Sequence, residues 1–262
     1  MTLFQAVVLG AAQGLTEFLP ISSSAHLFII PRLFGWGEPA VAFDIVLHLA
    51  TLLAIVIALR SDIGHLCRES LRGGKPERRV LWMLGLATIP ALIVGYFLKA
   101  HLDAVRSFLV VSVTLIVWGI VLWIAEIANA HMARQTRALD QMSFFQGISI
   151  GCAQVLSFIP GTSRSGVTIS AGLFLGLDRS TAARYSFLLG IPATAAAGGA
   201  ALLDVAHTGI DVGFFPMLVS FLVALTSGIF AIRFLLAIVK RGGFVWFAVY
   251  RIVLGLFLLL LL

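Results

Sequence analysis

Long apolar runs separated by short polar ones dominate this chain. Apolar spans cover Phe43 to Leu59, Val80 to Leu98 and Phe108 to Ile127, then about 185–203, 215–239 and 244–262. Each has the length a helix needs to cross the hydrocarbon layer of a bilayer. Two further apolar stretches are interrupted by polar groups at their middles. The first reads Gln13-Gly14-Leu15-Thr16-Glu17-Phe18-Leu19-Pro20-Ile21-Ser22-Ser23-Ser24-Ala25-His26. Gln13 and Glu17 stand four apart, so on a helix they share a face. Pro20 has no N–H to continue the ladder and stops that helix. The serines after it are N-cap residues, with Ser23 at the expected cap, for a second helix from about Ala25 to Leu33. The other interrupted stretch, about 144–177, carries Pro160-Gly161-Thr162-Ser163-Arg164-Ser165-Gly166-Val167-Thr168 at its break. A new helix N-terminus presents free N–H groups and the positive end of the dipole, a ready anion site.

The interrupted stretches open two similar halves. Phe145-Gln146 repeats Phe4-Gln5, Gly151-Cys152-Ala153-Gln154 repeats Gly10-Ala11-Ala12-Gln13, and, with one residue fewer between Gln and Pro, Pro160-Gly161-Thr162-Ser163 repeats Pro20-Ile21-Ser22-Ser23. Interrupted segments in matching positions are the sequence signature of inverted-repeat membrane folds. The pattern predicts an all-α integral membrane protein, a single membrane domain over 1–262, with repeats at about 1–130 and 144–262. Each inverted-topology repeat has a re-entrant helix pair plus three transmembrane helices, for six full crossings. Pro and hydroxyls at both middles favour re-entrant dips over full spans, since irregular backbone at membrane depth must be buried in protein or line a wet cavity.

Basic loops face the cytoplasm. The polar loop 60–79 carries Arg60, Arg68, Arg72, Lys75, Arg78 and Arg79 and is the inside anchor. Counting crossings from it puts 129–143, 178–184 and 240–243 inside, 99–107 and 204–214 outside, and both termini outside. Composition agrees with a membrane protein. The 262 residues are 60% hydrophobic and 11% charged, with a mean hydropathy of +1.05, whereas a soluble domain carries about 25% charge. No strand-like alternation suits an outer-membrane barrel. The net charge of +6 sits mainly in the loops, so no nucleic-acid partner is expected. The N-terminus lacks a basic n-region and a cleavage site, so no removable signal peptide is expected. Cys67 and Cys152 form no CxxC, and neither a disulfide nor a metal site is expected of them. Arg32 and Arg233 lie near predicted helix ends, where snorkelling accounts for them. Arg251 is a candidate partner for a carboxylate, Asp44 or Glu126. Arg164 differs, because it lies inside the second break.

If the two breaks meet near the midplane, Ser22, Ser23 and Ser24 face Gly161, Thr162, Ser163, Arg164 and Ser165 across one pocket. Hydroxyls, backbone N–H groups and a fixed guanidinium make a phosphate or pyrophosphate cradle. Glu17 then either holds a divalent cation that bridges to phosphate or acts as a base. His26, one turn into its helix, is positioned as an acid/base or nucleophile.

These residues resemble the undecaprenyl-diphosphate phosphatase family, of the bacitracin-resistance type. Its first signature is matched by Gln13, Glu17 and Phe18 to Ser23, and its second by Pro160 to Thr168. The Ser-Phe-Leu-Leu run from Ser186 to Leu189 and the pair Tyr250-Arg251 are similar too, and the resemblance covers essentially the whole chain. It implies a polyprenyl diphosphate lipid substrate, undecaprenyl diphosphate, losing one phosphate at the outer face of the bacterial inner membrane to recycle the lipid carrier of cell-wall synthesis. It also implies a divalent cation, magnesium or calcium, at Glu17, and a homodimer among bilayer lipids. With the family in view, Glu17, Ser23, His26 and Arg164 are the catalytic candidates. Gln13, Ser22, Ser24, Gly161, Thr162, Ser163, Ser165 and Thr168 are the substrate-binding candidates. Gln13 stands where many members have Glu, and an amide is the poorer metal ligand; His48 stands where Gln is expected.

Two chemistries fit the residues. In the first, the Ser23 hydroxyl, activated by Glu17 or His26, attacks the terminal phosphorus in line while Arg164 and helix N–H groups stabilise the charge. In the second, His26 attacks and Ser23 is a ligand. A transporter or flippase for a lipid phosphate or small anion would share the inverted-repeat architecture. It would need no nucleophile and no activating carboxylate beside its anion site.

Overall fold

The structure is a computed structural model that describes residues 1–37, 39–98, 105–132, 135–208 and 213–262, without the side chains of 41 and 200–208. The helices are α1 (Leu3–Phe18), α2 (Ser23–Leu33), α3 (Val41–Ala58), α4 (Arg60–Leu71), α5 (Lys75–Leu98), α6 (Phe108–Ala130), α7 (Phe144–Gln154), α8 (Arg164–Phe174), α9 (Arg179–Thr208), α10 (Phe214–Gly242) and α11 (Val245–Leu259). Among the described residues no strand forms, and a lone bridge joins Thr136 to Leu177. The fold is therefore all-helical, as the apolar runs predict. α5, α6 and α10 are each long and apolar enough to cross a membrane. The chain is a multi-pass membrane protein.

Both interrupted stretches are broken helix pairs. α1 and α7 start on the same capping box, Thr2 with Gln5 and Ser143 with Gln146. In each box the hydroxyl accepts from the third helical N–H and the glutamine amide oxygen accepts from the cap N–H. α1 ends at Phe18, two residues before Pro20. α7 runs into a single 3-10 turn, Val155–Phe158, before Pro160. Proline forces both ends, because the residue before it is pushed out of helical backbone: Leu19 and Ile159 are both extended. α1 lies along α10 and α7 lies along α5, while α6 and α11 pack on each other and α3 packs on α9 and α10. The first broken pair thus packs through α1 on a helix late in the chain, and the second through α7 on a helix early in it.

Three sequence expectations change. Loop 60–79 is mostly helix: α4 turns 66° away from α3 and buries Leu66, with Ile63 packed against the same core. A polar segment with apolar residues three apart forms a helix on a surface, which a hydropathy window reports only as polar. α9 begins at Arg179, earlier than about 185, because Asp178 Oδ1 accepts from Thr181 N at 2.6 Å and starts the helix there. Arg233 is exposed well inside α10, which continues to Gly242, so it does not mark a helix end. Of the expected outside loop 99–107, residues 99–104 lie outside the described residues; of 204–214, residues 204–208 continue α9 and 209–212 lie outside the described residues, so Lys99, His101, Arg134 and Asp211 are not described.

Candidate active site

The same turn is built at both breaks. Ser22 has φ 75°, ψ 96° and Ser163 has φ 74°, ψ 116°. Among the described residues these are the only non-glycines with positive φ. Such backbone costs about 1–3 kcal/mol at a serine. The cap bond offsets part of it: Ser22 Oγ accepts from Ala25 N at 3.4 Å, and Ser163 Oγ accepts from Gly166 N at 3.1 Å. Each cap hydroxyl also lies 3.2 Å from the hydroxyl two residues on, Ser24 and Ser165 respectively. The cap of α2 is therefore Ser22 and not Ser23. Only the residue bent out of helical backbone can turn its oxygen onto the first free N–H groups, and Ser22 is that residue. Ser23 becomes the first residue of α2, and its hydroxyl is released from capping.

The first helical residue on each side reaches one carboxylate. Ser23 Oγ donates to Glu17 Oε2 at 2.6 Å, and Arg164 Nη2 donates to Glu17 Oε1 at 2.9 Å. Gln13 Nε2 donates to Glu17 Oε2 at 3.3 Å from one turn earlier. The Glu17 and Arg164 side chains are only 9% and 14% exposed. A pair this far out of water survives because its remaining hydrogen bonds are made: Arg164 Nη1 also donates to Ser186 O at 3.3 Å. The Arg164 side chain lies along α9 over Gly190, where a Cβ would collide with its guanidinium.

A second arginine holds the breaks together. Arg251 is fully buried. It donates to Pro20 O at 3.1 Å, Gly161 O at 3.0 Å and Thr162 O at 2.7 Å, with Leu115 O at 3.5 Å. The expectation that Arg251 pairs with Asp44 or Glu126 is corrected. Glu126 instead accepts from Arg179 Nε at 2.6 Å and from Phe244 N. Breaking a helix leaves carbonyls without partners, and in an apolar interior each costs free energy until a donor arrives. The guanidinium fork, with five N–H donors, fits several carbonyls at once. Ser165 Oγ adds a further tie, lying 3.2 Å from Leu19 O and 3.3 Å from Glu17 O.

His26 sits apart from Ser23. Its Nδ1 lies 2.7 Å from Ser22 O and its Nε2 lies 2.7 Å from the Tyr250 hydroxyl. The expected proton exchange between His26 and Ser23 is thus replaced by two other partners, while Glu17 takes the Ser23 hydrogen bond. The reason is helix geometry: at four residues past Ser22 the imidazole folds back onto the first carbonyl of its own helix.

Ser24 is exposed and its carbonyl accepts from Arg106 Nη2 at 3.3 Å. Gly161 has φ 87°, and a Cβ there would collide with Thr114 Oγ1, so glycine is required for this turn. Thr162 is fully buried with no hydrogen-bond partner for its hydroxyl among the described residues. Thr168 points to α9, 2.6 Å from Ser186 Oγ, and also donates to Arg164 O at 2.8 Å; it bears on the site through Arg164. His48 lies 2.8 Å through Nδ1 from Asp44 O. Among the described residues no three of His, Cys, Asp and Glu cluster as a metal site.

A carboxylate that touches a hydroxyl and a guanidinium at two helix starts suits phosphoryl chemistry. Comparison with known proteins agrees: the family model for bacitracin resistance protein BacA matches residues 6–257. The chain belongs to the BacA family. A protein named undecaprenyl-diphosphatase from Moorella thermoacetica is 42% identical over 97% of this chain and 96% of its own length. Proteins of the same name from Chlorobaculum tepidum and Myxococcus xanthus are 42% and 43% identical over 100% of this chain, covering 97% and 90% of theirs. The BacA match spans both breaks and most of α11. Sequence reasoning did not assign site roles to Ser186, Gly190, Tyr250 and Arg251. Tyr250-Arg251 and the run from Ser186 carried a signal of similarity, but no spacing tied them to Glu17.

Proposed function

We propose that this chain removes the terminal phosphate from undecaprenyl diphosphate, releasing undecaprenyl phosphate and inorganic phosphate. The observation that carries it is the pair of bonds at Glu17, one from Ser23 and one from Arg164. Ser23 attacks the terminal phosphorus as its proton passes to Glu17 Oε2. The bond from that phosphorus to the bridging oxygen breaks, and its electrons leave with undecaprenyl phosphate. Water then attacks the phosphoserine, the bond from phosphorus to the Ser23 oxygen breaks, Glu17 returns its proton to that oxygen, and His26 receives the surplus proton of the water and passes it on to solvent. Arg164 and the N-termini of α2 and α8 hold the equatorial oxygens, with Ser22, Ser24, Gly161, Thr162, Ser163 and Ser165 shaping the cradle.

Gln13 Oε1 is buried without a hydrogen-bond partner among the described residues, on the side chain that already touches Glu17. A carboxylate, an amide oxygen, phosphate oxygens and water suit magnesium or calcium. Glu17 and Gln13 would hold such an ion, which would neutralise phosphate charge.

The proposed setting is the bacterial inner membrane, with two inverted repeats, six crossings, both termini on the periplasmic or extracellular side, and a homodimer. Supporting the repeats are the twin cap turns and the exchanged packing of α1 on α10 and α7 on α5. Supporting the orientation are the basic residues of 60–79. A reporter fused after Leu262 and active only in the cytoplasm would overturn the six-crossing arrangement.

The test of function is phosphate release from undecaprenyl diphosphate by purified protein in detergent, where transport has no readout. We expect steady release that Glu17→Gln abolishes. Lipid binding without phosphate release would favour a transporter instead.

A further inference from the structure

Tyr250 comes from α11, 224 residues along the chain from His26, yet its hydroxyl meets His26 Nε2 at 2.7 Å. The two rings lie parallel, 7° apart in plane, with centroids 5.8 Å apart. A carbonyl oxygen can only accept, so the bond to Ser22 O requires the hydrogen on Nδ1. A neutral imidazole has one such hydrogen, so Nε2 is then the acceptor and the Tyr250 hydroxyl donates to it. When His26 gains a proton, Nε2–H donates and the tyrosine oxygen accepts. A phenol serves both states without the ring moving, which neither a carbonyl nor an ammonium could do.

The surroundings make that exchange matter. Two cations lie close by along the chain: Arg251 follows Tyr250 on α11, and Arg106, just ahead of α6, donates to Ser24 O two residues before His26. Among the described residues no carboxylate is hydrogen-bonded to the ring. The proton on His26 is therefore received beside cations, and the tyrosine oxygen is the acceptor that stabilises it. We propose that Tyr250 is a positioning residue for His26, holding it in the Nδ1–H form and accepting from Nε2 once the imidazole is charged during turnover. The inference rests on His26 taking part in proton transfer in the phosphatase reaction.

A double-mutant cycle on purified full-length protein tests it, with phosphate release from undecaprenyl diphosphate as the rate and 15N NMR of His26 as the second readout. Tyr250→Phe keeps the ring and its packing but loses the hydroxyl. We expect its kcat to fall about ten- to a hundredfold, the usual effect of losing a hydrogen bond to a charged group, with KM within about twofold, on the scale where tenfold is ~1.4 kcal/mol. In a His26→Gln background the same change should cost nothing further. The wild-type ring nitrogens should report the Nδ1–H form, and Tyr250→Phe should shift them toward a mixture. Wild-type kcat and unshifted nitrogens in Tyr250→Phe would overturn the proposal, as would penalties that multiply in the double variant. If His26→Gln itself keeps wild-type turnover, the proton-transfer reading of His26 fails. The nitrogen shifts would then still decide whether Tyr250 sets the tautomer.

Discussion

The cap turns of the two breaks share a backbone and differ in the side chain that follows the cap. Ser22-Ser23-Ser24 and Ser163-Arg164-Ser165 have the same positive-φ cap, the same cap bond and the same hydroxyl pair two residues apart. Between the paired serines, one turn presents a hydroxyl and the other a guanidinium, and both reach Glu17 from opposite oxygens. The duplicated turn is a positioning device that aims whatever follows the cap at a common point. In the proposed reaction, chemistry comes from making the two turns unequal. A symmetric pair of serines would offer two hydroxyls and no fixed positive charge for a phosphate. A pair of arginines would bind phosphate and have nothing to attack it.

The strongest way to break the comparison is to remove, one at a time, what each turn presents after its cap. Ser23→Ala removes the oxygen proposed to attack phosphorus, and turnover should drop by more than about a thousandfold, on the scale where tenfold is ~1.4 kcal/mol. Retention of more than about a tenth of activity would rule out Ser23 as nucleophile. Arg164→Lys keeps the charge but loses the fork, which a point charge does not replace. We expect a fall of about a hundredfold, near 3 kcal/mol of transition-state stabilisation; near-normal turnover would mean the charge alone suffices.

The shared backbone is tested through the residue that joins the turns. Arg251→Met fills similar space but leaves the carbonyls of Pro20, Gly161 and Thr162 without that donor. Stability should fall by about 3 kcal/mol or more, since each unpaired buried group costs about 1–3 kcal/mol. Thermal unfolding in detergent, with the wild type alongside, reads this directly. An unchanged midpoint would mean that water reaches the turns and replaces the arginine.

Smaller effects separate aim from assembly. Gly190→Ala pushes on the Arg164 guanidinium without touching Ser23. Turnover should drop about tenfold, ~1.4 kcal/mol, with the unfolding midpoint nearly unchanged, because a flexible side chain can shift where a backbone cannot. Equal loss of stability and activity would place the damage in packing. Ser22→Gly and Ser163→Gly both relieve the positive φ and both lose the cap oxygen. Glycine for serine at a cap costs only a few tenths of a kcal/mol, and the relieved strain works in the opposite direction. Each should therefore change stability by less than about 1 kcal/mol, and by similar amounts, as measured by chemical unfolding. A large difference between them would show that the turns are not energetically equivalent.

Much of this site was legible in the residues. Gln13 and Glu17 on one helix face, the stop at Pro20, the serines beyond it and the repeat at Pro160 rest on local rules of spacing and backbone. Those rules act within about one turn of chain, so a sequence alone states them. They determined an all-helical membrane protein with two capped breaks and a hydroxyl, a carboxylate and an arginine among them. The cap itself was misplaced by one residue, because Ser22, Ser23 and Ser24 are equally good caps by type. Which one bends to positive φ depends on the chain on both sides being held. Tertiary structure alone decided that Ser23 and Arg164 share Glu17, that Arg251 serves carbonyls and no carboxylate, and that Tyr250 meets His26. In the apolar interior an unpaired carbonyl or charge is costly and takes the donor that packing brings nearest. Nearness between α2, α8 and α11 is set by the packing of α1 on α10 and of α6 on α11, which no local spacing records.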